Sequence, residues 1–561
     1  MEDGRIERSV GADFNIYFCG NAIKFPDVKC PAIIFSPVND SWNDFRYRCS
    51  YRYIIYFGDG RREIEGRVFL GFTSGNENVD DSGQVSNQVE LLEASELPDF
   101  FTLQGGMKNY RYFVNEHGAE EANSLLLALN DLVACRRFPK RTKLVDAAVK
   151  TEVFSLAFMR DSDRFFAFHN ADTLLDGLEG ESFSRISTEL KLSYDLAGFP
   201  ENHNLNLRFD TKSILPKRIS VLIGRNGLGK SQALHTIAKS LVKGDQRFSD
   251  PNYGRPMVSR LLAIATPGET VNTFPPERKN KRIKYRRLML NRSASAKASR
   301  GFCDLCVQLA RSEELIGNND RWKLFEDSIQ FFSNVRNVVI PLRKDISVAA
   351  DHVLRVNGKL YVPLLKLNRG GEQAKLEVQG AVVSNANPSI YIEGDIFPLS
   401  SGQLSFIQFV VQACLFVENG TLVLLDEPET HLHPNFISEF VRILDRLLKS
   451  TGSVAVIATH SAYFVREVPR TQVLVFKGDG DGRVSIQNPR LKTFGADVGT
   501  ISYFVFEDEI TNGLVEDILD RFPQNPEARN SLLRELESEL SADVLMYLRR
   551  KLNVEEDNEE N

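Results

Sequence analysis

Long apolar runs are missing from this 561-residue chain. The longest, Phe406 to Val417, is interrupted by Gln408 and Gln412. It falls short of the ~20 apolar residues that cross a bilayer, which counts against a fused transporter. The opening Met-Glu-Asp-Gly-Arg lacks a basic and then apolar signal pattern. A strong excess of one charge is also missing. The formal net charge is -6, so bulk electrostatics do not make the chain a polyanion-binding protein; a local basic surface stays open. Cysteine is scarce and odd in number, at seven, which predicts reduced thiols in the cytoplasm and no disulfide framework. Cys303 and Cys306 form a CxxC, but no second CxxC or paired histidines follow at a zinc spacing, so they read as packing residues. There is no sustained heptad pattern, hence no coiled-coil arm, and no internal repeat.

What is present is an ordinary globular composition with room for about two to four domains. Residues 1–115 are rich in Phe, Tyr, Ile and Val with Gly, Asp and Asn turns. Tyr51-Arg52-Tyr53, following Phe45-Arg46-Tyr47-Arg48, and Ile64 to Phe72 flank Gly58-Asp59-Gly60 as a β-hairpin would. Glu120 to Cys135 reads as a helix, Arg136 to Lys143 as a linker, and Glu152–Phe158 and Arg164–Phe168 as strands. Further strands are expected at Ile219–Ile223 and Leu261–Ala265, a helical block at about 300–335, and strands again up to Ile396. Asp479-Gly480-Asp481-Gly482 is a hairpin turn between Val473–Phe476 and Val484–Ile486. Ser531 to Leu552 is helical, and Glu555–Glu560 is an acidic tail.

Four motifs carry chemistry. Gly224-Arg225-Asn226-Gly227-Leu228-Gly229-Lys230-Ser231 fits GxxxxGK[ST], and it stands between an apolar strand and a helix pattern. Its glycines let backbone N–H groups close around a β-phosphate. Lys230 is expected to reach the β- and γ-phosphates, Gln232 to follow in the same helix start, and Ser231 to bind Mg²⁺. Leu422–Leu425 is a buried-strand run that ends in Asp426-Glu427. Asp426 is expected to hold Mg²⁺ and Glu427 to act as general base. Ser400-Ser401-Gly402-Gln403 is a capping box whose helix start, positive and rich in hydroxyls, suits phosphate. Val454–Ile457 is a third strand with Thr459-His460 at its tip, which points to a γ-phosphate sensor.

This constellation resembles the ABC-type ATPases over roughly residues 150–505. The run Asp426-Glu427-Pro428-Glu429-Thr430-His431-Leu432-His433-Pro434 looks like the OLD and RecF-like branch. The resemblance implies an α/β fold, an ABC-type P-loop ATPase with an inserted helical block, a β-rich N-terminal region and a helical C-terminal tail. It implies ATP and Mg²⁺, a homodimer or higher oligomer closed on ATP, and a loop from Glu429 to His433 that crosses the dimer interface. Ser401 stands where transporters carry glycine, and no glutamine-bearing loop is evident between Gly229 and Leu399. OLD nucleases add a metal-dependent Toprim domain; Asp479 and Asp481 lack the strand–Glu context for one. The chain is therefore similar to stand-alone ATPases of antiphage systems such as Septu (PtuA, including retron-linked forms) and PARIS (AriA), which work beside a separate HNH-type nuclease or toxin.

The expected division is 1–148, 149–505 (with an insertion at about 290–345) and 506–561. The expected role is a cytoplasmic ATPase switch in an antiphage complex. A RecF- or SMC-like DNA-repair ATPase and a nucleotide-gated scaffold with little turnover are the alternatives. The basic run Glu277 to Arg287 bears on the choice. Lys279–Arg287 either tracks a nucleic-acid backbone, with Tyr285 as a stacking platform, or is a solvated hairpin face.

Overall fold

Three apolar runs, Ile219–Gly224, Thr421–Asp426 and Val454–Thr459, lie side by side and wholly buried in a seven-stranded sheet. The computed structural model describes residues 14–552 except 21–27, 39–46, 59, 76–78, 80–83, 86–90, 179–184, 197, 266–272, 278–281, 290–300, 317–318, 331, 333, 344–351, 433, 479–482 and 507–512. The strand order is Lys284–Met289, Arg260–Ala265, Thr421–Asp426, Val454–Thr459, Ile219–Gly224, Val473–Gly478 and Val484–Gln487. All neighbours are parallel except the last pair.

Because both faces are covered, the strands need no polar side. Val221, Ile223, Val423, Leu425 and Ile457 face a core built with the helices Phe302–Ala310, Arg321–Ile329, Ser401–Phe416 and Pro434–Thr451. Leu222, Leu422, Leu424, Val456 and Ala458 face the helix Lys230–Lys243 and a three-stranded sheet of Glu189–Tyr194, His203–Arg208 and Phe248–Ser249.

The N-terminal region forms a separate six-stranded sheet, in the order Leu92–Glu93, Asn15–Phe18, Ala32–Pro37, Ser50–Tyr56, Ile64–Phe72, Phe100–Leu103. The expected hairpin is its antiparallel pair Ser50–Tyr56 and Ile64–Phe72. The helix expected at 120–135 is two helices, Met107–Ala128 and Leu132–Arg136. Asn130 turns the chain at φ 53 between them, and Asp131 caps the second by accepting from Val133 N and Ala134 N. The expected linker holds a 3₁₀ turn, Pro139–Arg141, and the start of the helix Thr142–Ala148.

The strands expected at 152–158 and 164–168 are helical instead, as Phe154–Phe158 and Ser162–Asn170. Their aromatic residues mimic a strand because one core takes nearly all of them. Phe154, Phe158, Phe166 and Phe168 are buried together against the N-terminal sheet. Asp161 starts the second helix by accepting from Arg164 N at 3.1 Å. The Arg164 guanidinium donates to the Phe158 and Ala157 carbonyls and lies 3.8 Å over the Phe69 ring. This core continues through Leu175 to Ile186, past residue 148.

The helical block contains Phe302–Ala310 and Arg321–Ile329, joined through a small hairpin, Leu315–Ile316 with Asn319–Asp320. A five-stranded antiparallel sheet follows between Val338 and Pro398, and its last strand, Asp395–Pro398, runs directly into Leu399-Ser400. Cys303 and Cys306 are buried in the core, where desolvation pushes the Cys303 thiol up to about 12. Among the described residues no group of three or more His, Cys, Asp or Glu side chains is placed to hold a metal ion. At the C-terminal end, Gly513–Asp520, Pro526–Leu536 and Ala542–Lys551 share a small core through Phe522, Leu533 and Leu548. The Asp479–Gly482 turn, His433 and the Glu555–Glu560 tail lie outside the described residues. Among the described residues no helix is long and apolar enough to cross a membrane.

Candidate functional site

Parallel pairing brings the motif tips to one edge of the sheet. Thr459 is in register with Ile223, Asp426 with Ala458, and Ala265 with Asp426. The ends of parallel strands in such a sheet are where ligands bind. At this edge the Ile219–Gly224 strand passes into the glycine-rich loop. A Cβ at Gly224 would collide with the Phe476 carbonyl oxygen of the neighbouring strand. Gly229 has φ 94, and a Cβ there would meet Leu196 at 2.9 Å and the Tyr194 hydroxyl at 3.2 Å. Tyr194 also donates its hydroxyl to the Gly229 carbonyl at 3.0 Å. No side chain caps the helix Lys230–Lys243, so its first amides are left for an anion.

Lys230 is 5% exposed, and its Nζ donates to the Gly224 and Arg225 carbonyls at 2.8 and 2.9 Å. Burial lowers its pKa to about 8, against the pull of Glu427, Asp426 and Glu429. A buried ammonium of this kind is stabilised by a phosphate. Asn226, Gly227 and Gln232 are exposed, and Ser231 is half-buried.

Ser231 Oγ donates to Asp426 Oδ1 at 3.0 Å. The buried Thr273 hydroxyl donates to Asp426 Oδ2 at 2.7 Å. Sequence reasoning missed Thr273. The signal available was its position beyond the strand Arg260–Ala265, the immediate neighbour of Thr421–Asp426. Past Asp426 the chain turns sharply. Glu427 takes a left-handed conformation at φ 46, its N–H donates to the Ala458 carbonyl at 2.9 Å, and a 3₁₀ turn follows over Pro428–His431. Glu427 Oε1 stands 3.1 Å from His460 Nε2. Burial, with Lys230 second, lowers the His460 pKa and keeps the ring neutral near neutral pH.

Ser400 Oγ accepts from Gln403 N at 3.2 Å, and Gln403 Oε1 accepts from Ser400 N at 3.0 Å. The expected capping box is thus formed. Ser400 and Ser401 are exposed while Gly402 is buried. These cap residues bond to each other rather than to the P-loop.

The basic run does not form a hairpin face over its described part. Lys284–Met289 is the outermost parallel strand, and 278–281 lie outside the described residues. Tyr285 is buried and donates its hydroxyl to the Pro275 carbonyl at 2.7 Å, so it is no stacking platform. Lys284 pairs with Asp163. Arg286 lies 3.6 Å from Glu277 and packs over the Phe416 ring at 5.4 Å.

The strand–loop–helix phosphate cradle, the paired acids and the histidine all stand at the end of one parallel sheet. Together they define the fold and site of an ABC-type P-loop ATPase, and the chain is an ATPase of that type. A family model described as "AAA domain, putative AbiEii toxin, Type IV TA system" matches residues 315–466, which include the capped helix, Asp426-Glu427 and His460. The chain is similar to protein ea59 of Escherichia phage lambda, at 24% identity over 500 residues, covering 84% of this chain and 86% of that protein. It is also similar to the energy-coupling factor transporter ATP-binding protein EcfA2 of Spiroplasma kunkelii, at 24% over 277 residues, covering 48% of this chain and 64% of that protein. Among solved structures, cbiO1 from Clostridium perfringens matches at 16% identity and TM-score 0.28, covering 61% of this chain and 97% of that one. An SmcHead bound to the C-winged helix domain of ScpA matches at 12% and 0.29, covering 55% and 98%.

Proposed function

We propose that the protein is an ATP-driven switch in which two copies close head to tail on two ATP molecules and separate after hydrolysis. The observation that carries this reading is the helix start at Ser400–Gln403. Its Ser400 and Ser401 are exposed and it is capped by its own side chains, yet it presents hydroxyls and a positive helix end, the chemistry that binds phosphate. The site in one copy holds a P-loop, acids and a histidine; a facing copy would complete it with this cap. The loop amides and Lys230 bind the β- and γ-phosphates, with Gly224, Asn226, Gly227, Gly229 and Gln232 shaping the cradle. Ser231 and Asp426 would hold Mg²⁺, with Thr273 fixing the second Asp426 oxygen, and the ion would supply positive charge to the phosphates. Glu427 orients and deprotonates the attacking water. Neutral His460 donates toward the γ-phosphate, and Ser400, Ser401, Gly402 and Gln403 contact the γ-phosphate of the facing copy.

Three parts fit this role: an N-terminal β-rich unit whose core reaches residue 186, the ATPase with its inserted helices and small sheet, and the C-terminal helices. We further propose that the switch acts in the cytoplasm, where ATP and reduced thiols coexist. There it would control a separate effector, a nuclease or toxin, in the conflict between phage and host. The matching model's mention of a type IV toxin–antitoxin system and the relative from phage lambda support that setting. The test is the mass in solution of wild type and Glu427→Gln, with and without ATP, purified with the products of neighbouring genes. Doubling of the Glu427→Gln mass with ATP, abolished by Ser401→Arg, supports the sandwich. A monomer in every state refutes it. An ATP-locked dimer that takes up DNA and no effector moves the role to DNA repair.

A further inference from the structure

Glu429 is expected from the resemblance to lie in a loop that crosses to the partner, yet its side chain folds inward. One oxygen, Oε1, accepts from the Thr459 hydroxyl at 2.6 Å and from the His460 backbone N–H at 2.7 Å. Thr459 is the last residue of the strand Val454–Thr459 and His460 follows it, so the His460 amide has left the ladder that paired its predecessors. An amide in that position needs an acceptor. Thr459 is held in a rotamer that serves both sides, since its oxygen also accepts from Ser461 N at 2.9 Å. The other carboxylate oxygen, Oε2, is buried without a hydrogen-bond partner among the described residues. Burial and the neighbouring Glu427 carboxylate raise the Glu429 pKa. Holding a carboxylate in so poor a setting is costly for stability, and function is a reason to keep it.

The contacts form a closed circuit. The Glu427 backbone is tied to Ala458 by its N–H, and the left-handed turn at Glu427 throws the chain back. Two residues on, Glu429 grips Thr459 and His460, and the His460 imidazole meets the Glu427 carboxylate at 3.1 Å. We propose that Glu429 is a positioning residue of the hydrolysis site: through one shared oxygen it sets the backbone of Thr459–His460 and so the spacing between the imidazole and the Glu427 carboxylate. The inference rests on the catalytic reading of Glu427 and His460 given above. It also gives residues 430–432, which follow directly, a mechanical route to His460, because a displacement of that turn pulls on Glu429 first.

The test compares Glu429→Ala, Glu429→Gln and Thr459→Val in the full-length protein. Turnover and KM for ATP are read together with hydrogen–deuterium exchange over residues 454–466 in the absence of nucleotide. Displacing a catalytic group by about 1 Å costs on the order of 100-fold in rate. Glu429→Ala is therefore expected to lower kcat by about 10- to 100-fold, leave KM within about threefold, and release the His460 amide to faster exchange. Glu429→Gln keeps the accepting oxygen and should retain kcat within about threefold. Thr459→Val removes one of the two donors, falls between them, and stands in if Glu429→Ala fails to fold. The proposal is overturned if Glu429→Ala keeps wild-type kcat, if the His460 amide stays protected, or if Glu429→Gln is as impaired as Glu429→Ala. Glu427→Gln is assayed alongside. If it turns over like wild type, the catalytic reading of the site fails, while the exchange experiment still decides whether Glu429 holds His460.

Discussion

The strand Thr421–Asp426 has two ends that treat buried acid in opposite ways. At its root Glu418 is 3% exposed and meets three guanidiniums from three parts of the chain. Arg111 of the N-terminal unit donates at 2.6 Å, Arg321 of the inserted block stands at 3.6 Å, and Arg260 of the adjoining strand at 3.8 Å. Burial alone would push the Glu418 carboxyl up; the three arginines overcome it and hold the pKa at about 2. At the tip, Asp426, Glu427 and Glu429 gather around Lys230; hydroxyls hold Asp426, a hydroxyl and an amide hold Glu429, and the His460 ring meets Glu427. The root is a neutralised joint that ties three regions to the catalytic strand. The tip keeps an excess of negative charge that a divalent cation bearing phosphates would balance. Rigidity at one end and unspent charge at the other is what a strand needs to carry a hydrolysis site.

The sharpest way to break the contrast is at the tip. Glu427→Gln should lower kcat about 10²–10⁴-fold in a phosphate-release assay while leaving folding stability within ~0.5 kcal/mol, since the side chain is over a third exposed. Glu418→Ala should do the reverse. Removing one partner of a buried ionic cluster costs about 3–5 kcal/mol, read as a fall in the denaturant midpoint, with nucleotide affinity per folded molecule retained. Equal losses of stability from both variants would erase the distinction between root and tip.

Acid separates the two ends by sign. Glu418 titrates at about 2 in the folded protein against a reference of 4.5. Its contribution is therefore present above pH 4.5 and is lost as pH falls from there through about 2. The loss amounts to up to ~3 kcal/mol. Thermal melts of wild type should carry this slope, and those of Glu418→Gln should lack its share. Glu429 has a raised pKa, so its contribution runs the opposite way, with stability falling as pH rises past the reference value. The smallest effect is expected at Ser400→Ala. Loss of the cap costs about 1 kcal/mol, measurable by denaturation, and ATP-dependent association should weaken with it. Association as strong as wild type would remove Ser400 from the site.

The local frame of the proposed site was largely legible in the residue order. The Gly224–Ser231 spacing, the strand ending at Asp426-Glu427, the Ser400–Gln403 capping box and His460 all appear where local pattern placed them, because each depends on residues within one strand, turn or helix start. Thr273 was not legible. It reaches Asp426 across a gap of sequence that only strand pairing closes. Tyr285 looked available because it stands among basic residues, but the strand Lys284–Met289 turns it into the core. The helix Ser162–Asn170 was read as a strand because burial on nearly every side removes the polar positions that reveal a helical period, and Phe154–Phe158 is too short to show one.

By itself, then, the order of residues determined which groups stand together in each strand tip, loop and helix start of the proposed site, since those placements are properties of short backbone motifs. The tertiary structure decided which distant groups meet them. It set three arginines from three regions on Glu418 and turned Glu429 inward onto Thr459 and His460. The physical reason is range. A loop or a cap is fixed by neighbours a few residues away, whereas a buried charge is settled by whatever the packed sheet brings within hydrogen-bonding distance, however far off it lies along the chain.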